Sequence, residues 1–257
     1  MSESQQQRGT QPGRRQRDEV ESGAASSGQA DVSPGQAETS QDQAEAPPDI
    51  ARATQRQADA ADVEAARASL LRVFCAIEIP PQVRARVLEH ISTLRGGAKR
   101  ARAAWSRAES LHLTTKFFGE IEEARQDALS RAMARAVTGL SAFELTVGGA
   151  GVFPPRGMPR VLWLGIGDAS GKLSLLQRRL EDECAAEGFA RERRSFHPHL
   201  TLARLRTPEG ARLLAELHLR TDFEPATYIA DELVLFRSRL GPGGSQYTAL
   251  ARHELKG

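Results

Sequence analysis

The sequence predicts an α+β domain behind a long polar tail, and three observations carry that expectation. Composition breaks sharply near residue 70. Beyond the break, β-branched and aromatic runs alternate with stretches whose apolar residues recur at helical spacing. Short links marked by Gly and Pro separate them.

The first aromatic residue is Phe74 and the first lysine is Lys99. Residues 1–69 are dominated by Gln, Ser, Gly, Ala and Pro, and cannot bury enough surface to offset the entropy of ordering them. They are expected to be a disordered, low-complexity acidic tail, with residues 51–67 at most a transient helix that lacks an apolar stripe. The domain is expected to span residues 70–257. Residues 1–69 hold 7 Arg against 12 Asp or Glu, and residues 70–257 hold 28 Lys or Arg against 21 Asp or Glu. The domain is therefore basic, which suits a polyanionic substrate. An arginine-rich coding bias accounts for the same excess without any partner. The two cysteines, Cys75 and Cys184, form no CxxC pair, and no apolar leader or membrane-length run is present. A cytoplasmic, reducing setting is expected.

The elements follow in order. Arg72–Ile79 (RVFCAIEI) reads as a strand closed by Pro80-Pro81. Pro81 sits where prolines start helices, and VRARVLEHISTL continues at helical spacing until Gly96-Gly97. Ala103–Arg107 and Leu111–Phe118 read as strands, the second ended by Gly119. Glu122–Val137 reads as a helix. Phe143–Val147 and Val161–Ile166 read as strands joined by the Gly/Pro-rich loop GGAGVFPPRGMP. Lys172–Glu187 is a helix, Pro198–Leu205 a strand and Pro208–Leu219 a helix. Leu233–Phe236 and Tyr247–Ala251 are strands around a turn at residues 240–244.

Two of these strands carry the same short pattern. His112-Leu113-Thr114-Thr115 and His199-Leu200-Thr201-Leu202 both match His-x-Thr-x. Residues two apart on a strand share a face. Each motif thus sets an imidazole and a hydroxyl side by side, with Leu113, Leu200 and Leu202 turned to the core. One such motif means little. Two copies, one in each half of the domain, place two histidines on one cleft if the halves are related by a pseudo-two-fold. Hydrolysing a 2′,3′-cyclic phosphate needs a base for water and an acid for the departing ribose oxygen. Two imidazoles supply both near neutral pH. The threonine hydroxyls can bond the non-bridging phosphate oxygens. The scheme calls for no metal and no cofactor.

With these motifs the chain resembles the 2H phosphoesterase superfamily, and within it the bacterial and archaeal RNA 2′,3′-cyclic phosphodiesterases, also called 2′-5′ RNA ligases. The segments that carry the resemblance are RVFCAIEIP, LHLTTKFFGE, RVLWLGIG, FHPHLTLARLR and LFRSRLGPGGSQYTAL. The resemblance implies a bilobal fold, each lobe with an antiparallel sheet and two helices, and an active cleft between them. It implies His112 as proton donor, His199 as proton acceptor, and Thr114 and Thr201 as phosphate ligands. The implied reaction hydrolyses cyclic RNA ends to 2′-phosphomonoesters, with 2′-5′ ligation as its reverse. Arg204 completes His-x-Thr-x-x-Arg, where the family places an arginine near phosphate. Strict alternation sets it on the wrong face, so it reaches the cleft only if the strand ends or bulges after Thr201.

Other residues carry weaker signals. His197 and His199 form His-x-His, but no nearby carboxylate or cysteine completes a zinc site. Lys116 has the parity of His112 and Thr114, and reads as a contact to RNA phosphate or a solvated rim lysine. Trp105, Phe118, Phe153 and Tyr247 read as base-stacking or packing residues. His90, His218 and His253 sit in no motif. The expected partner is RNA with cyclic phosphate ends, met by a monomer without membrane association. Two other readings stand beside the enzyme. One is a non-catalytic RNA- or nucleotide-binding module on the same fold. The other is a relative acting on small cyclic nucleotides.

Overall fold

The computed structural model describes residues 69–241 and 244–257, all within the compact unit Ala51–Gly257. The expected tail, Ser69 apart, and the transient helix over residues 51–67 lie outside the described residues.

Strand β1 (Leu70–Glu78) opens the fold. Its alternation sends Leu71, Val73, Cys75 and Ile77 into the main core and Phe74 and Ala76 to the opposite face. Helix α1 (Pro81–Gly97) starts at the expected proline and buries Val83, Val87, His90, Ile91 and Leu94. It ends at the expected glycine pair, with Gly97 as its last residue and Ala98 as its C-cap. Strand β2 (Ala103–Trp105) and a 3₁₀ turn (Ala108–Ser110) lead into β3 (His112–Glu122). β3 continues past Gly119, whose φ of 76° is absorbed as a bulge rather than ending the strand. A second 3₁₀ turn (Glu123–Arg125) precedes helix α2 (Gln126–Val137).

Strand β4 (Phe143–Phe153) takes up half of the stretch read as a loop, with Gly149 as the extra residue of a bulge. It pairs with β5 (Val161–Gly167). Then come helix α3 (Lys172–Ala186), strand β6 (His199–Leu205) and helix α4 (Ala211–Arg220). Strand β7 (Ala226–Ala230) was not expected at all. Strands β8 (Glu232–Gly241) and β9 (Gly244–Glu254) form one long hairpin.

Two antiparallel sheets result, in the orders β3-β1-β8-β9 and β2-β6-β5-β4-β7. Set β2 aside and the orders correspond strand for strand, with β3 matching β6. Helices α2 and α3 pack together, α2 against β8 and β9 and α3 against β3. Helices α1 and α4 pack together, α1 against β7 and α4 against β4. The bilobal α+β architecture with two helices per sheet is therefore as expected. The lobes are not the two halves of the sequence, however. The first sheet takes β1 and β3 from the beginning of the domain and β8 and β9 from its end, while the second takes mostly the middle. One continuous apolar core lies under both sheets. A small second cluster, Phe74, Ala76, Val234 and Phe236 with Tyr247 against it, covers the opposite face of the first sheet. Among the described residues, no helix is long and apolar enough to cross a membrane. Both cysteines are buried free thiols.

Candidate active site

His112 and His199 are the first residues of β3 and β6. These strands belong to different sheets but approach each other. The link from β2 to β3 holds them in relation. The Ser106 amide donates to the Leu202 carbonyl at 2.8 Å, and its hydroxyl to the Thr201 carbonyl at 2.6 Å. The chain entering the first motif is thus tied to the backbone of the second.

On β3, His112 and Thr114 are half-buried on the face opposite fully buried Leu113. The His112 ring stacks on Phe74 at 4.8 Å and meets the edge of Tyr247 at 5.2 Å, with Phe236 at 6.2 Å. Glu78 faces it across the ladder. Burial among these rings pushes the His112 imidazole down to about 4, and the Glu78 charge only partly opposes this.

On β6, His199 and Thr201 are likewise half-buried opposite Leu200 and Leu202. His199 Nδ1 lies 2.6 Å from the His197 carbonyl. A carbonyl only accepts, so Nδ1 carries the proton and Nε2 keeps the lone pair in the neutral ring. Phe153 meets the His199 ring edge-on at 5.1 Å, and Trp163 lies 6.1 Å away. Gly151 sits opposite Trp163 on the neighbouring strand, where any Cβ would collide with the indole. Burial lowers the His199 pKa, and the nearby Arg204 charge adds to the effect.

Arg204 joins this face through a bulge. On β5, Trp163 pairs with Thr201, Leu162 with Ala203 and Val161 with Arg204, which leaves Leu202 as the extra residue. Leu202 and Ala203 both turn to the core, and parity flips. Arg204 is exposed and shares the face of His199 and Thr201.

Lys116 corrects the sequence reading. A bulge at Thr115 reverses its parity, so it lies opposite Cys75 instead of beside His112. It is neither a rim lysine nor a phosphate contact. Its ammonium is buried and bonds Glu181 at 2.6 Å and the Ala190 carbonyl at 2.9 Å. Phe118 follows it to the core side, edge-on to Phe189, and Trp105 packs on the main core. Phe153 and Tyr247 instead stand against the two histidines. His197 is exposed and packs edge-on to Trp163 at 4.9 Å. Sequence reasoning missed Phe74, Phe236, Trp163 and Glu78. Phe74 and Phe236 have the parity of the non-core face, but in nearly all-apolar strands that alternation is hidden.

The site therefore combines two buried-edge imidazoles, two threonines and an arginine on facing strands. The family model of the 2′-5′ RNA ligase superfamily matches residues 79–242, a span that holds both motifs. The chain belongs to the 2′-5′ RNA ligase superfamily. An RNA 2′,3′-cyclic phosphodiesterase of Methanothermobacter thermautotrophicus is 35% identical over 69% of this chain and 95% of its own. One from Thermotoga maritima is 31% identical over 73% and 97%. The crystal structure of Escherichia coli LigT in apo form superposes with a TM-score of 0.58 at 28% identity, covering 72% of this chain and 98% of LigT. The superfamily match spans β2 to β8 and leaves β1 and β9 of the first sheet outside it.

The lowered histidines have a consequence for stability. Between pH 6.5 and about 4, the unfolded chain binds a proton at residue 112 that the folded one refuses. The stability of the fold must then fall as pH falls through that window, by up to about 3 kcal/mol for this residue. His90, His199, His218 and His253 are lowered as well and act in the same sense. Urea denaturation from pH 7 to pH 5 is expected to show decreasing stability, with a shallower decrease in His112→Gln. Equal slopes for the two proteins contradict a buried neutral His112.

Proposed function

We propose that this protein hydrolyses 2′,3′-cyclic phosphates at RNA ends to 2′-phosphomonoesters, with His112 and His199 as acid and base. The observation that carries the reading is the pairing of two His-x-Thr motifs at the starts of β3 and β6, each with histidine and threonine on the non-core face. The names of the relatives support the substrate class, and LigT has been crystallised with phosphate and with 3′-AMP.

His199 is suited to the base because its Nδ1–H is held by a carbonyl and Nε2 is left to take a proton from water. Water attacks phosphorus in line with the bond to the ribose O3′. That bond breaks, His112 gives its proton to O3′, and the phosphate stays on O2′. Thr114, Thr201 and Arg204 hold the non-bridging oxygens, where negative charge gathers. In the free protein burial keeps His112 neutral. An anionic phosphate beside the ring favours the imidazolium and so charges the acid when substrate arrives. Ligation follows the same path with an RNA 5′-hydroxyl in place of water: it attacks phosphorus, the bond to O3′ breaks, and a 2′-5′ linkage remains.

The test is an RNA oligomer ending in a 2′,3′-cyclic phosphate, incubated with the protein in EDTA, with products resolved by phosphate position. The 2′-phosphate is expected at a rate unchanged by the chelator. A 3′-phosphate product, or activity lost in EDTA and restored by a divalent ion, contradicts the two-histidine scheme.

A further inference from the structure

The face that carries His199 and Thr201 continues beyond Arg204. After the bulge at Leu202, Arg204 and Arg206 have the same parity, and Arg204 pairs with Ala104 of β2. One step on, Ala103 pairs with Leu205, so Arg102 falls opposite Arg206, and the Arg206 amide donates to the Arg102 carbonyl at 2.9 Å. Leu205 and Ala103 pack on the core, which leaves the arginines on the His199 face.

Both arginines are exposed. Like charges directly opposite on an antiparallel ladder repel and destabilise the pair. Among the described residues neither Arg102, Arg204 nor Arg206 forms an ion pair within 4 Å of a carboxylate, although nine ion pairs are made elsewhere. Glu209, three residues past Arg206, does not relieve them either. No carboxylate among the described residues pairs with either guanidinium, so both are open to an external anion. Same-face residues two apart on a strand are separated by about 7 Å, of the order of the step between neighbouring phosphates in an extended RNA strand.

We infer that Arg102 and Arg206 form a second phosphate site, which holds the internal phosphate immediately upstream of the cyclic end of a single-stranded RNA. The inference rests on the proposed phosphodiesterase reading and deepens it, because it names an oligonucleotide rather than a mononucleotide as the preferred substrate. Arg204 serves the reacting phosphate, and the strand then follows β6 to the arginine pair.

The experiment compares adenosine 2′,3′-cyclic phosphate, which has no internal phosphate, with the dinucleotide that carries one internal phosphate and the same cyclic end. The wild-type protein is expected to favour the dinucleotide in kcat/KM by about 10-fold or more, the effect of a charge-assisted contact. In the Arg102→Ala/Arg206→Ala double variant the dinucleotide should drop to the mononucleotide value, while the mononucleotide has no contact to lose. The dependence of log kcat/KM on log salt should become shallower by about 0.7 for the one phosphate released. The Arg102→Lys/Arg206→Lys variant should retain part of the preference, because lysine still holds phosphate as a point charge but lacks the guanidinium fork. Equal use of both substrates by the wild type, or an equal loss on both in the double variant, overturns the inference. Cleavage of neither substrate refutes the phosphodiesterase reading instead. In that event equilibrium binding of the 2′-phosphate-ended dinucleotide against adenosine 2′-phosphate decides the site alone. A dinucleotide preference lost in the double variant supports it, and equal affinities overturn it.

Discussion

Replacing either His112 or His199 by alanine is expected to lower turnover of a cyclic-phosphate-ended RNA by roughly 10²- to 10⁴-fold, the usual worth of one general acid or base. The double variant should be little slower than either single one, because groups that act as a unit are not additive. RNA affinity should fall far less than turnover, since Thr114, Thr201 and Arg204 remain. The check is single-turnover kinetics beside equilibrium binding of a 2′-phosphate-ended RNA. A His199→Ala protein that turns over near the wild-type rate leaves the second motif a purely structural role.

Much of this site was legible because strand periodicity is simple. His112 and Thr114, and His199 and Thr201, share faces as the period of two requires, and the bracketing leucines are core. What was illegible came from bulges, which carry no dependable sequence signature and invert every side chain beyond them. The bulge at Thr115 turned Lys116 from the expected cleft position into the core. The bulge at Leu202 did the reverse and brought Arg204 onto the His199 face. Gly119 reads as a strand end and Gly149 as part of a loop, but both are absorbed within strands. Strand β7 was missed because its buried positions include two alanines, while Ile229 is exposed, so polarity does not alternate with burial.

Lys116 is expected to give the largest loss of stability among single substitutions at a polar position. Its ammonium is buried against Glu181, which also accepts from the Glu192 amide at 3.1 Å. Lys116→Met leaves that carboxylate buried without its counter-charge, which typically costs about 3–5 kcal/mol. The paired replacement Lys116→Met/Glu181→Leu should recover most of the loss, because removing both charges removes the desolvation penalty as well. Urea midpoints of the three proteins check this. A single-variant loss below about 1 kcal/mol, the value of a surface pair, contradicts the buried assignment. The residual folded activity of Lys116→Met should remain near wild type, since the lysine lies on the far side of β3 from His112.

In the two-histidine scheme His112 donates the proton to the leaving O3′ while His199 takes one from water. Replacing O3′ by sulfur in a 2′,3′-cyclic substrate tests it most directly, because a thiolate departs without being protonated. The expected result is that the 3′-sulfur substrate restores most of the rate lost in His112→Ala and none of that lost in His199→Ala. Failure to rescue His112→Ala, or rescue of His199→Ala in its place, contradicts the assignment of acid and base.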